Sequence, residues 1–240
     1  MDREELEKEL RQEWFKDHKA KLEKLSEDVS ILTWRAPGTS SYYVRYVFDY
    51  NKIYITGDLG DAILKIYDKV DLEKAASFDI YYLHEKLTAR DEEKWAFDED
   101  KAIKRLQEEI NEIKERQAEY LGLELEEAKN IKFRDCINLD GYRPENCSNA
   151  NRKNCSKCEE FNNYIATMEN LIETAKTCNA RENWVAQIYI DYFDQLEDYD
   201  SEFYEWIFDI GNDYPRSVQA FLIGLKMAWE QLKENNTLQD

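Results

Sequence analysis

Glycine and proline are scarce, with 7 and 3 in 240 residues. So few breakers exclude a loop-rich or low-complexity chain and predict long regular elements, helices above all. Histidine is scarcer still. His18 sits in a charged segment and His84 among aromatics, and neither belongs to an H-E-x-x-H or two-histidine–carboxylate pattern. No serine or cysteine stands in a nucleophile motif. A non-enzymatic role is therefore expected, with a metal-dependent enzyme as the weakest alternative, because chance carboxylate pairs mean little among 52 acidic residues. No apolar run approaches the ~18 residues of a membrane span, and the N-terminal segment is charged throughout, without a signal-peptide core. A cytoplasmic protein is expected, in a compartment where structural disulfides are rare. Basic residues are the other shortage: 33 against 52 acidic, a net charge of −19. That field repels phosphate backbones and anionic lipid, so neither direct nucleic-acid binding nor membrane binding is expected. The nearest basic cluster, Arg143, Arg152, Lys153 and Lys157, is diluted by Glu145 and Glu159.

What is present suffices for a packed core: 42% hydrophobic residues, 13% of the chain aromatic. Leu6, Leu10, Trp14, Phe15, Leu22 and Leu25 recur at helical spacing and predict one amphipathic helix over 3–26. Period-two patterning follows at 29–34, 42–49 and 52–58, rich in β-branched and aromatic residues. Tyr50-Asn51 makes the last two a hairpin. Residues 61–70 read as helical or as one more short strand, and 71–87 as one helix. Ile103, Leu106, Ile110 and Ile113 give 98–121 a coiled-coil-like face. Helices are expected again over 159–177, 183–199, 202–211 and 216–235, the last with Pro215 at its first turn. The fold class is α+β: a small antiparallel β-sheet of about three strands near the N-terminus with a predominantly helical remainder. The segments are 1–71 (helix plus sheet), 72–130 (helical), 131–158 (a cysteine-containing loop insertion) and 159–240 (acidic and helical).

Three constellations bear on chemistry. Cys136, Cys147, Cys155 and Cys158 form C-x10-C-x7-C-x2-C. The terminal C-x2-C in a tight turn suits two thiolate ligands, and two more cysteines would close a structural zinc site that orders a loop poor in apolar residues. Free thiols and a redox or intermolecular disulfide are the other readings, since the upstream C-x2-C knuckle is missing. Cys178 reads as a core residue. The Gly57–Gly60 turn follows a strand, the general setting of a phosphate cradle. Asp58 and Asp61 put negative charge there, so a tight turn needing positive φ is the better reading. The third feature is electrostatic. Between Arg181 and Arg216 there is no Lys or Arg, while Glu182, Asp191, Asp194, Glu197, Asp198, Asp200, Glu202, Glu205, Asp209 and Asp213 all fall there among ten aromatics. Spacing assigns Trp184, Ile188 and Tyr192 to the core. The remainder reads either as an ordinary acidic helical surface or as an interface for an Arg/Lys-rich partner, with charge to steer and aromatic faces to pack.

Two stretches carry a resemblance. WRAPGTSSYYVRYVFDYNKIYITGDLGDAILKIY (34–67) and IFDIGNDYPRSVQAFLIGLKMAWEQLK (207–233) resemble segments of uncharacterised phage and prophage proteins from Firmicutes, with a G-D-L-G turn after an aromatic strand pair. Together they span about a quarter of the chain and carry no catalytic motif. The resemblance implies a phage accessory gene of the anti-defence, anti-CRISPR-like kind, whose acidic products block host immune nucleases by binding them. The expected function is a phage-encoded inhibitor of a bacterial defence system, a CRISPR effector or a Gabija-type nuclease, acting through acidic surfaces on a basic surface of the host protein to block nucleic-acid binding or assembly. The alternative is a phage accessory or regulatory protein with a zinc module. The helices at 3–26 and 99–121 could pair within one subunit or in a homo-oligomer.

Overall fold

The computed structural model describes residues 3–91, 94–121 and 152–235. They fall into two compact units that interleave along the chain: unit 1 is Met1–Trp95 with Tyr214–Asp240, and unit 2 is Ala96–Asp213. This grouping differs from the four consecutive segments expected, because the last helix belongs to the core of the N-terminal sheet.

Unit 1 is a sheet with helices on one face. Its elements are α1 (Arg3–Glu9), β1 (Lys19–Lys24), β2 (Val29–Arg35), β3 (Val44–Asp49), β4 (Lys52–Gly57), β5 (Ala62–Lys65), α2 (Leu72–Ala76), α3 (Ile80–Glu85), β6 (Leu87–Arg90) and a C-terminal helix (Arg216–Glu234). The six strands follow one another antiparallel in chain order. The α+β class holds, with six strands where three were expected. The single helix predicted over 3–26 is a correction: α1 runs through a π turn at Leu10–Trp14, and the chain then extends as β1. Lys-Ala-Lys-Leu-Glu-Lys alternates, and Ala20 and Leu22 turn to the core once Lys19 to Lys24 pair with Arg35 to Ser30. Residues 61–70 supply β5, the strand alternative. The helix expected over 71–87 splits in two, because Asp71 and Asp79 each cap a helix, accepting from the backbone N–H of Lys74 (2.9 Å) and Tyr82 (2.7 Å).

One face of the sheet is buried. Leu32, Trp34, Val44, Tyr46, Phe48, Ile53, Ile55 and Leu64 pack with Val218, Phe221, Leu225, Ala228 and Leu232 of the C-terminal helix. Tyr46 Oη donates to the Phe221 carbonyl at 2.9 Å. Gly224 permits that approach, since a Cβ there would stand 2.7 Å from Tyr46 Oη. The exposed edge of β1 is partly covered by Gln231, whose side-chain amide accepts from Ala20 N–H (2.8 Å) and donates to the His18 carbonyl (3.2 Å). It stands in for a peptide group of a seventh strand.

Unit 2 is helical. A short pair, β7 (Ala96–Phe97) and β8 (Asn212–Asp213), ties its ends. Between them run α4 (Glu99–Leu121), α5 (Arg152–Ala175), α6 (Arg181–Gln187), a π segment (Ile188–Tyr192) and α7 (Phe193–Glu197), followed by a 3-10 turn at Phe203–Glu205. Ala102, Leu106, Ile110 and Ile113 of α4 meet Tyr164, Met168, Leu171 and Ala175 of α5, and Trp184, Ile188, Leu196, Phe203 and Ile207 complete the core. Residues 152–158, expected in a loop, form the first turns of α5. Among the described residues no helix is long and apolar enough to cross a membrane.

Candidate functional site

All ten acidic residues of the lysine- and arginine-free stretch, Glu182 to Asp213, lie in unit 2. It folds around buried Trp184, whose Nε1–H donates to the Ile207 carbonyl at 2.8 Å. Trp184 and Ile188 are core, as their spacing predicts. Tyr192 is half-buried, with its hydroxyl 2.9 Å from that of Thr174. The π segment widens one turn by a residue, and Tyr189 and Ile190 emerge on the surface, 57% and 75% exposed. Tyr189 stacks on Phe193 (centroids 5.6 Å apart) and Phe208 (4.8 Å), and Phe193 meets Phe203 edge-on at 5.1 Å. A rigid aromatic platform with an exposed edge results.

The ten acidic residues divide by what holds them. Three serve the fold. Asp200 accepts from the Glu202 N–H (2.9 Å) and Trp206 Nε1–H (3.2 Å). Asp209 pairs with Arg181 (3.3 Å), and Asp213 with Lys101 (2.6 Å). The other seven, Glu182, Asp191, Asp194, Glu197, Asp198, Glu202 and Glu205, are exposed and make no ion pair among the described residues. An uncompensated set of this kind raises the local concentration of cationic groups and speeds their association. Individual pairs with it are worth only about 0.2–1 kcal/mol in water, so exposed apolar groups of the stretch, Tyr189, Ile190 and Tyr204, must supply the rest of any affinity.

Sequence reasoning did not reveal a second polar feature of unit 2. Glu109, with its side chain 8% exposed, accepts from Arg105 Nη2 (3.1 Å) and Arg116 Nη2 (3.2 Å), and the Arg105 guanidinium lies 5.0 Å from the Trp206 ring centre. The i,i+4 spacing of Arg105 and Glu109 was a signal for half of it. Burial, with the nearby Glu109 carboxylate, pushes the Tyr164 hydroxyl well above its ordinary range.

Both histidines and Cys178 are buried in the fold. His18 Nε2–H donates to the Tyr42 carbonyl (3.1 Å), and His84 Nε2–H to that of Lys94 (2.8 Å), with the His84 ring against Trp95 and Tyr214. Burial lowers both histidines below 6.5. Cys178 is buried, and burial raises its thiol. In the Gly57–Gly60 turn Asp91 takes the place an anion would occupy, accepting from the Asp61 N–H at 2.9 Å. Gly57 (φ +150°) has no room for a Cβ, which would overlap the Tyr43 carbonyl.

Of the zinc reading, Cys136 and Cys147 lie outside the described residues, as do the side chains of Cys155 and Cys158. The backbone of the latter two is helical, at the start of α5, so the C-x2-C is not the tight turn predicted. Among the described residues no group of three or more His, Cys, Asp or Glu side chains is placed to hold a metal.

The sequence matches no protein-family model, and neither a curated protein nor a solved structure is significantly similar to it.

Proposed function

We propose that the protein is a non-catalytic inhibitor that binds a basic surface of a nucleic-acid-acting complex through the acidic, aromatic face of unit 2. The observation that carries this reading is the set of seven exposed carboxylates that make no ion pair among the described residues, in the same stretch as exposed Tyr189, Ile190 and Tyr204. A surface built to be only solvated would scatter counter-charges among its acids, as the surface of α4 does with Arg105 and Arg116. Keeping seven acids uncompensated costs self-repulsion, and a cationic partner relieves it. Exposed tyrosine beside carboxylate also offers packing and cation–π contact to arginine. Together with the resemblance at 34–67 and 207–233, the reading points to a phage product directed at a bacterial defence complex, a CRISPR effector or a Gabija-type nuclease.

Phage plaquing on hosts that express a panel of such defence systems tests this without assuming the partner. Expression of the chain should restore plaques on at least one host, and the defence complex should co-purify with it in a salt-sensitive manner. A variant with Asp191→Asn, Asp194→Asn, Glu197→Gln, Asp198→Asn, Glu202→Gln and Glu205→Gln should lose both effects. No rescue across the panel, or undiminished rescue by the neutralised variant, overturns the proposal.

A further inference from the structure

The strand register of unit 1 produces a second surface, independent of the acidic one. Half the residues of the sheet face away from the helices, and they align in rows across it. One row reads Ile31, Val47, Tyr54, Ile63 and Ala89 on β2 to β6, each directly opposite the next. The buried residues of the unit 1 helices join the core on the opposite face, so no described helix of unit 1 lies over this row. Ile31, Val47, Tyr54 and Ile63 are nevertheless half-buried by their neighbours and form a continuous apolar band. Antiparallel sheets with a solvated face ordinarily alternate polar residues outward. Four large apolar side chains in register are a departure from that pattern.

Charge flanks the band on both sides. Toward one end of the strands stand Arg45 and, a further row out, the cross-strand pair Lys19 and Arg35; toward the other stand Lys52 and Lys65, themselves opposite one another. All five are exposed and make no ion pair among the described residues. Lys21, in the row of Arg45 with Thr33 between them, is neutralised by Glu23 at 2.7 Å; Glu23 closes the β1 end of the apolar row opposite Ile31 and also feels Arg45. Asp49, directly opposite Lys52 across β3 and β4, is the other acid in these rows. In a chain of net charge −19, this face is locally cationic.

We propose that the open face of the sheet is a docking surface for an acidic amphipathic helix of a protein partner. From β2 to β6 the band spans four strand spacings, about 19 Å, the length of a helix of about 13 residues. A helix laid across the strands would press its apolar stripe on Ile31, Val47, Tyr54 and Ile63, and Glu or Asp on its two flanks would reach Arg45 on one side and Lys52 and Lys65 on the other. A single strand of nucleic acid is the less fitting occupant. Base stacking needs a series of aromatic faces, and the band offers Tyr54 alone among aliphatic residues.

The test uses the full chain and three fluorescent probes: a synthetic amphipathic helix of about 16 residues with a leucine stripe flanked by glutamate, its twin with lysine for glutamate, and a dT20 oligonucleotide. The glutamate peptide should bind, with amide shifts in nuclear magnetic resonance spectra concentrated at Val47, Tyr54 and Ile63. Arg45→Glu/Lys52→Glu should weaken it at least tenfold while leaving the circular dichroism and melting temperature unchanged. The lysine twin should be insensitive to that variant, because any binding falls on unit 2. The proposal is overturned if the glutamate peptide does not bind, if the variant binds it equally, or if dT20 binds this face and competes with the peptide.

Discussion

Unit 1 closes its core with one sheet and one long helix and carries 24 acidic against 19 basic residues; unit 2 closes its core with two long helices and a string of short turns and carries 28 against 14. Most of the chain's acidity therefore resides in the unit with the less regular surface. In unit 1 the strand register sorts cations onto one sheet face, whereas in unit 2 a π segment and a 3-10 turn bring aromatics out among carboxylates that make no ion pair among the described residues. Regular pairing makes a flat, ordered surface, and irregular helix makes a protruding one. A chain can thus carry two opposite charges on two surfaces while its net charge reports only one.

The largest test of this comparison is in the two cores. Trp34 and Trp184 are both fully buried, and replacing either by alanine should cost about 3–5 kcal/mol of unfolding free energy in denaturant titrations. Phenylalanine should separate them. Trp184 Nε1–H serves the Ile207 carbonyl, whereas Trp34 Nε1 has no hydrogen-bond partner among the described residues. Trp184→Phe leaves a buried carbonyl unpaired and should cost about 1–3 kcal/mol beyond its packing loss, a penalty Trp34→Phe does not incur. Equal costs would mean that the turn holding Ile207 relaxes to find another donor.

Next in size is the ion pairing of unit 2. Glu109→Ala should destabilise by about 2 kcal/mol, since it opens a cavity and removes the buried acceptor of two guanidinium groups. The loss stays below that of a fully buried pair because Arg105 and Arg116 keep 35% and 58% of their side chains exposed. Asp213→Asn, which breaks the more exposed pair with Lys101, should cost under about 1 kcal/mol. A reversed order would show that β7 and β8 depend on Lys101 more than α4 depends on Glu109.

These contrasts also mark how much of the molecule was legible in the sequence. The β3–β4 hairpin, the buried face of α4 and the C-terminal helix follow from local period and are present. β1 was hidden because Leu22 and Leu25 continue a helical spacing, while the pairing that makes 19–24 a strand lies with 30–35. The break between α2 and α3 had a signal in Asp71 and Asp79, two N-cap residues eight apart. For the acidic stretch, composition located the surface but could not divide it. Lys101 reaches Asp213 from 112 residues away, and only folding shows that Asp200, Asp209 and Asp213 are already engaged. The cationic sheet face was invisible for the same reason: Arg35, Arg45, Lys52 and Lys65 are scattered in sequence and meet only in register.

The smallest predicted difference is in pH response. Both histidines of the chain belong to unit 1. Each donates Nε2–H to a carbonyl, and burial lowers each below 6.5. As pH falls through 6.5 the unfolded chain takes up protons that the folded unit refuses, so the unfolded state binds more and stability declines. The decline ends once pH drops below the folded values, and above the unfolded value the contribution is fully present. Between pH 7.5 and 6, hydrogen-exchange protection of β3 and β4, corrected for intrinsic rates, should fall, while the α4–α5 core of unit 2, which has no histidine, should show no loss from this source. His18→Gln/His84→Gln should flatten the response of the sheet. If unit 2 amides lose protection in step and the double variant does not change the slope, the pH dependence arises outside the histidines and the two units do not differ in this respect.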